Sequence, residues 1–142
     1  VTVLTGRTLV DGSARGEALV CTAAISGWGG VDPRRGTITE VTHPQRGREF
    51  AGRVLVIPGA KGSSGWSGQF HLARVMGTAP LAIVTSKVNT KLAVGLVALG
   101  VPAILVDDLS ALRVDAPIDV ELPGDGTVRI STVRISTAPA VV

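Results

Sequence analysis

The sequence has no tyrosine and only two phenylalanines and two tryptophans, so aromatics make up 3% of it. Val, Leu, Ile and Ala must then fill any core, and the aromatic platform on which single-stranded nucleic acid stacks is missing. Cysteine occurs once, as Cys21. A lone thiol excludes an internal disulfide and a self-contained thiolate metal site, because iron–sulfur clusters take several Cys ligands. Cys21 follows the apolar run Ala18-Leu19-Val20, where a small buried hydrophobe is its expected role. His43 and His71 are the only histidines, and with no thiol near either they assemble neither a metal-ligand spacing nor a Ser-His-Asp order. A long apolar run is also lacking. The greasiest stretch, Leu92 to Val106, is interrupted by Gly95, Gly100 and Pro102 and falls short of the ~20 residues of a membrane span. No basic segment followed by an apolar one opens the sequence. A soluble, cytoplasmic protein is the expectation.

Residues 1–142 are expected to form one domain, large enough to bury a core without staples. With 45% hydrophobic and 18% charged residues, the chain is not a disordered one. Eighteen glycines imply many tight turns and close backbone approaches. The net charge of +3 favours an anionic ligand, yet the basic residues are dispersed. Their densest stretch, Arg34, Arg35, Arg46, Arg48 and Arg53, reads as a solvated or subunit-facing surface.

Three short runs are apolar at every position: Val54 to Ile57, Leu81 to Val84, and Ala103 to Val106. Such runs suit strands buried on both faces of a parallel sheet. Between them lie two helical patterns. Phe70, Ala73 and Met76 form one stripe, ended by Gly77. Leu92, Leu96 and Leu99 form the other, capped by Asn89 or Thr90 and stopped by Gly100 and Pro102. The result is β-α-β-α-β with a parallel core. Earlier in the chain, Thr2 to Val10, Glu17 to Ala24 and Thr37 to Thr42 are β-prone and separated by turns at Asp11-Gly12, Gly29-Gly30 and Arg35-Gly36. This half predicts a second, mainly antiparallel layer. The expected fold is α/β, with one parallel layer, one antiparallel layer and helices on one side. Near the end, Val128-Arg-Ile-Ser-Thr132 is repeated at once as residues 133–137. Five is odd, so one unbroken strand would turn the two copies to opposite faces, and a frayed second copy is the expectation.

Ligands of open α/β sheets gather beyond the carboxyl ends of the parallel strands. Three loops qualify: residues 58–68, Thr85-Ser86-Lys87, and Asp107-Asp108. The first carries four glycines, three serines and Lys61, and it runs into a helix N-terminus that favours negative charge. A phosphate-binding P-loop needs Lys after its last Gly, whereas here Lys61 precedes Gly62, so that match fails. His43 lies before Pro44 in what reads as an extended loop, and His71 falls inside the first helix.

At this loop a resemblance becomes specific. Gly29-Gly30-Val31-Asp32-Pro33, Gly36-Thr37-Ile38, His43-Pro44, Gly47 and Gly52-Arg53-Val54-Leu55-Val56 lead in order into Pro58-Gly59-Ala60-Lys61-Gly62-Ser63. Ala79 to Val84 and Val101-Pro102-Ala103 extend the match. The ordered set resembles the small subunit, or swivel domain, of the aconitase X family, over most of the chain from about Gly6 to Asp107. The resemblance implies the swivelling β/β/α fold and a hydro-lyase built as a heterodimer, with this chain inactive alone. It implies that this chain binds no cofactor and no metal. A separate large subunit would carry the cysteines and an iron–sulfur cluster or iron. Known members dehydrate cis-3-hydroxy-L-proline or mevalonate 5-phosphate, and the former is the expected substrate. The family's serine base maps onto Ser63, with Lys61, Gly62 and Ser64 as substrate-binding neighbours. Ser64-Gly65-Trp66 departs from common versions, so the resemblance does not fix the shape of the pocket wall. Two rivals are a phosphohistidine carrier using His71, and a non-catalytic subunit that closes a partner's site. Against the carrier, Gln69 and Phe70 separate His71 from the loop, where a carrier histidine directly follows the serine.

Overall fold

The structure, a computed structural model, describes residues 1–26, 29–61, 65–114 and 117–132. In chain order its first strands are β1 (Thr2–Thr5), β2 (Arg7–Val10), β3 (Ala14–Val20), β4 (Ile25–Ser26), β5 (Val31–Asp32) and β6 (Thr37–Ile38). There follow β7 (Val54–Ile57), β8 (Ala60–Lys61), helix α1 (Trp66–Met76), β9 (Ala82–Thr85), helix α2 (Thr90–Leu99) and β10 (Ala103–Leu105). The last strands are β11 (Ile118–Leu122) and β12 (Thr127–Thr132).

The three apolar runs form the parallel block β7-β9-β10, and β3 joins it in parallel on the other side of β7. Alternation along each strand divides the interior into two layers. Val54, Val56, Ala82, Val84 and Ile104 face one core with Ile118, Val120, Leu122, Val128 and Ile130 of the antiparallel layer. Leu55, Ile57, Ile83 and Ala103 face the other, with Phe70, Leu92, Leu96 and Leu99 of the helices. Strands apolar on both faces are what this double burial demands. Each fully buried Leu or Ile contributes about 2 kcal/mol of apolar transfer, so the middle layer is anchored from both sides.

The eight-stranded sheet runs β1-β12-β11-β3-β7-β9-β10-β2. Its two ends are neighbours in sequence. The β-prone stretch Thr2 to Val10 is thus two strands, one pairing with β12 and one with β10, with Gly6 at the corner between them. A Cβ on Gly6 would lie 2.6 Å from the Leu105 carbonyl oxygen, so only glycine fits there. A second corner lies in β3, which pairs antiparallel with β11 through residues 14–17 and parallel with β7 through 18–20. The stretch from Glu17 accordingly ends its ladder at Val20, and Thr37 to Thr42 is strand only at β6.

Helix α1 begins at Trp66, taking over the end of the segment expected as loop, and Gly65 caps it without a side-chain hydrogen bond. Asn89 is the cap of α2, its Oδ1 accepting the Leu92 N–H at 2.8 Å. Both helices end on left-handed glycines, Gly77 and Gly100. The first copy of the pentapeptide repeat lies in β12, and the second lies outside the described residues. Among the described residues no helix is long and apolar enough to cross a membrane.

Candidate active site

A cleft of about 690 Å³ opens at the carboxyl ends of the parallel strands. Its walls are residues 22–24 after β3, residues 58–60 after β7, and residues 86–89 after β9, with Leu105 of β10 between them. Two of the three expected loops therefore meet. Ser86 Oγ donates to the Pro58 carbonyl at 3.0 Å, and Asn89 Nδ2 donates to the Ala60 carbonyl at 3.3 Å. Asn89 thus caps α2 with one end of its amide and ties down the neighbouring loop with the other. Gly59 has φ +155°, and a Cβ there would sit 3.5 Å from Lys87 Cβ, so the two loops pack backbone against side chain. Asp107 and Asp108 do not join the lining. Asp108 instead accepts the Ser110 N–H at 2.9 Å within its own turn, and that bond holds its carboxyl below the usual range.

Lys61 stands at the cleft's edge, next to the lining residue Ala60, on the two-residue parallel ladder of β8 with β4. Its ammonium lies 3.3 and 3.4 Å from the two carboxylate oxygens of Glu40. Glu40 Oε1 also accepts the Ser26 N–H at 3.2 Å, so one carboxylate bridges both strands of that ladder. Gly62, Ser63 and Ser64 lie outside the described residues. The only basic side chain among the described lining residues is Lys87.

The histidines differ from each other. His71 is exposed in the middle of α1, away from the helix start that a carrier histidine would occupy. His43 is not in an open loop: it is 5% exposed and both ring nitrogens are engaged. Nε2 lies 2.9 Å from the Ala23 carbonyl, and Nδ1 accepts the Gln45 N–H at 3.0 Å. Cys21 is buried, and burial pushes its thiol up to about 12. A sequestered neutral thiol and a histidine with no free nitrogen do not suit an iron or iron–sulfur centre, and no cluster of metal-ligating side chains exists among the described residues. Four arginines of the basic stretch, Arg34, Arg35, Arg46 and Arg48, are exposed, and Arg53 pairs with Glu17 at 3.4 Å. Arg46 and Arg48 line a separate, smaller groove of about 280 Å³.

Glu40, His43 and Gln45 were not visible as site residues in the sequence. Their contacts reach across 14 to 23 positions, and no local pattern signals them.

A parallel layer flanked on one face by two helices and on the other by an antiparallel layer, with its cleft at the parallel strands' carboxyl ends, defines a swivelling β/β/α domain. The chain belongs to the aconitase X family: the family model described as "Aconitase X swivel domain" matches residues 3–130. It is a subunit of an aconitase X-type dehydratase. It is 37% identical over 110 residues to the phosphomevalonate dehydratase small subunit of Thermococcus onnurineus, covering 78% of this chain and 85% of that one. It is 44% identical over 89 residues to the cis-3-hydroxy-L-proline dehydratase of Pseudomonas aeruginosa, covering 63% of this chain and 15% of that protein. The crystal structure of Thermococcus kodakaraensis aconitase X in its holo-form superposes with a TM-score of 0.86 at 34% identity, covering 92% of this chain and 99% of that one.

Proposed function

We propose that the cleft is this chain's half of an active site shared with a metal-bearing large subunit, that Ser63 is the base, and that cis-3-hydroxy-L-proline is the substrate. The observation that carries this reading is the placement of Lys61. The segment holding Ser63 leaves β8 there, at the edge of the carboxyl-end cleft. Dehydration removes a carbon-bound proton and expels hydroxide. Ser63 takes the proton, and hydroxide departure is assigned to the large subunit. A serine hydroxyl is a poor base unless its anion is stabilised in a dry site. Lys61 supplies a cation for that purpose or for the substrate carboxylate. Its pairing with Glu40 does not prevent this, since half-exposed ion pairs are worth about 0.2–1 kcal/mol and a developing anion in a closed site outcompetes them.

The charge of the cleft supports a monocarboxylate. Among the described residues, Lys87 in the lining and Lys61 at the edge match one carboxylate and one developing serine anion, whereas a phosphate dianion with a carboxylate calls for more. Mevalonate 5-phosphate is the second reading, favoured by separate small-subunit relatives matched over 85% and 98% of their length. Assaying the reconstituted pair on both compounds separates them. In the same complex, Ser63→Ala is expected to lower kcat by roughly 10²–10⁴-fold with assembly intact. Turnover within a few-fold of wild type would remove Ser63 from the mechanism and favour the closing-subunit role.

A further inference from the structure

The wall 22–24 lies between two sheet ladders and belongs to neither. Before it, the Cys21 N–H still donates to Val56 O at 2.8 Å, and after it Ile25 pairs with Ala60. Between these anchors the polar groups of the wall are held by the turn at residues 43–45. Gln45 Oε1 accepts both the Thr22 N–H at 3.0 Å and the Thr22 hydroxyl at 3.3 Å. His43 Nε2 meets the Ala23 carbonyl at 2.9 Å.

The roles in this clamp are fixed by elementary chemistry. A carbonyl oxygen only accepts, so His43 carries its proton on Nε2. The Gln45 N–H only donates, so Nδ1 is the acceptor, and the ring is a single neutral tautomer. The Gln45 amide is oriented likewise, because an N–H donor at Thr22 requires its oxygen and not its nitrogen. Burial of His43 shields its own two bonds from competing water, whereas the Gln45–Thr22 bonds are exposed.

We infer that His43 and Gln45 are positioning residues for the dehydration: they set the 22–24 wall against the loop 58–60 and thereby fix the width of the cleft. Neither touches the reacting atoms. The inference rests on the proposal that the cleft is the active site. A wall displaced by about 1 Å costs up to roughly 100-fold in rate when it orients a substrate.

The test uses the reconstituted complex, assayed on whichever of cis-3-hydroxy-L-proline and mevalonate 5-phosphate the wild-type pair dehydrates. Gln45→Leu keeps the side chain's bulk and removes the acceptor, whereas Gln45→Glu keeps the acceptor. The expected result is a kcat lowered roughly tenfold or more by Gln45→Leu, with Tm and subunit affinity close to wild type, and Gln45→Glu within a few-fold of wild type. His43→Phe should lower kcat in the same direction and also lower Tm, so the Gln45 pair carries the test if that variant folds poorly. Wild-type kcat in Gln45→Leu, or an equal loss in Gln45→Glu, overturns the positioning role. Ala24→Leu, which fills the cleft from the same wall, separates the two failures. If it abolishes turnover while Gln45→Leu does not, only the clamp is wrong. If both variants turn over like wild type, the cleft is not the active site and the inference falls with it.

Discussion

Cys21 is 3% exposed in the helix-side core, and desolvation outweighs the opposing pull of Arg48 to push its thiol up to about 12. An unfolded cysteine titrates near 8.5. The folded state therefore holds this proton more tightly, which contributes stability that is fully present below about pH 8.5 and is lost as pH rises toward 12. Denaturation midpoints of the wild type are expected to fall more steeply between pH 8.5 and 10.5 than those of Cys21→Ala. Alkylation by iodoacetamide at pH 8 should be slow on the native protein and track unfolding in mild denaturant. Rapid labelling of the native chain would show the thiol to be accessible. At the same scale, His43 and Gln45 illustrate why part of the site was hidden in the sequence. A histidine before a proline has no local mark that tells a clamp from a loop residue; its partner, the Ala23 carbonyl, is 20 positions away. Gly59 and Lys61 stand in one contiguous glycine-rich segment that the sequence marks, and the structure puts Gly59 in the cleft wall and Lys61 at its edge.

The helices pack on each other through Gly95. A Cβ there would stand 2.9 Å from Trp66 Cβ and 3.3 Å from the Trp66 carbonyl carbon. Alanine would gain about 0.8–1 kcal/mol of helix propensity, but overpacking against a rigid helix start costs about 1–3 kcal/mol. Gly95→Ala is thus expected to destabilise by about 1 kcal/mol, seen as a Tm lowered by several degrees; a raised Tm would mean that the helices can separate freely. Trp66, fully buried and 4.8 Å from the Phe70 ring, locks this contact. Elements of this kind were readable in advance, since four-residue apolar runs and stripes at three- and four-residue spacing report burial directly. Strand β11 went unread although Ile118-Asp119-Val120-Glu121-Leu122 alternates cleanly between buried and half-buried positions. The two-residue ladders β4–β8 and β5–β6 are too short for any periodicity, yet the first of them carries Lys61 to the cleft.

Across the whole molecule, the two layers are joined where the chain bends. Gly6 →Val would drive a branched side chain against the Leu105 carbonyl and the Ile104 side chain, at 2.6 and 2.8 Å from its Cβ. Backbone on one side and a packed strand on the other leave no room to yield, so a loss of about 3 kcal/mol or more is expected, measured by urea denaturation; wild-type stability would show that the corner can open without cost. The same corner governs the order in which the protein can be completed. The residues on either side of Gly6 find their partners in β12, more than a hundred positions later, and in β10. This segment precedes both of its partners in the chain, so it can be seated only after β10 and β12 exist. Until then the flanks of β10 and β12 wait unpaired, and non-local closures of this sort are slow and prone to mispairing. Closing the sheet at both ends thus depends on one short segment reaching two distant partners.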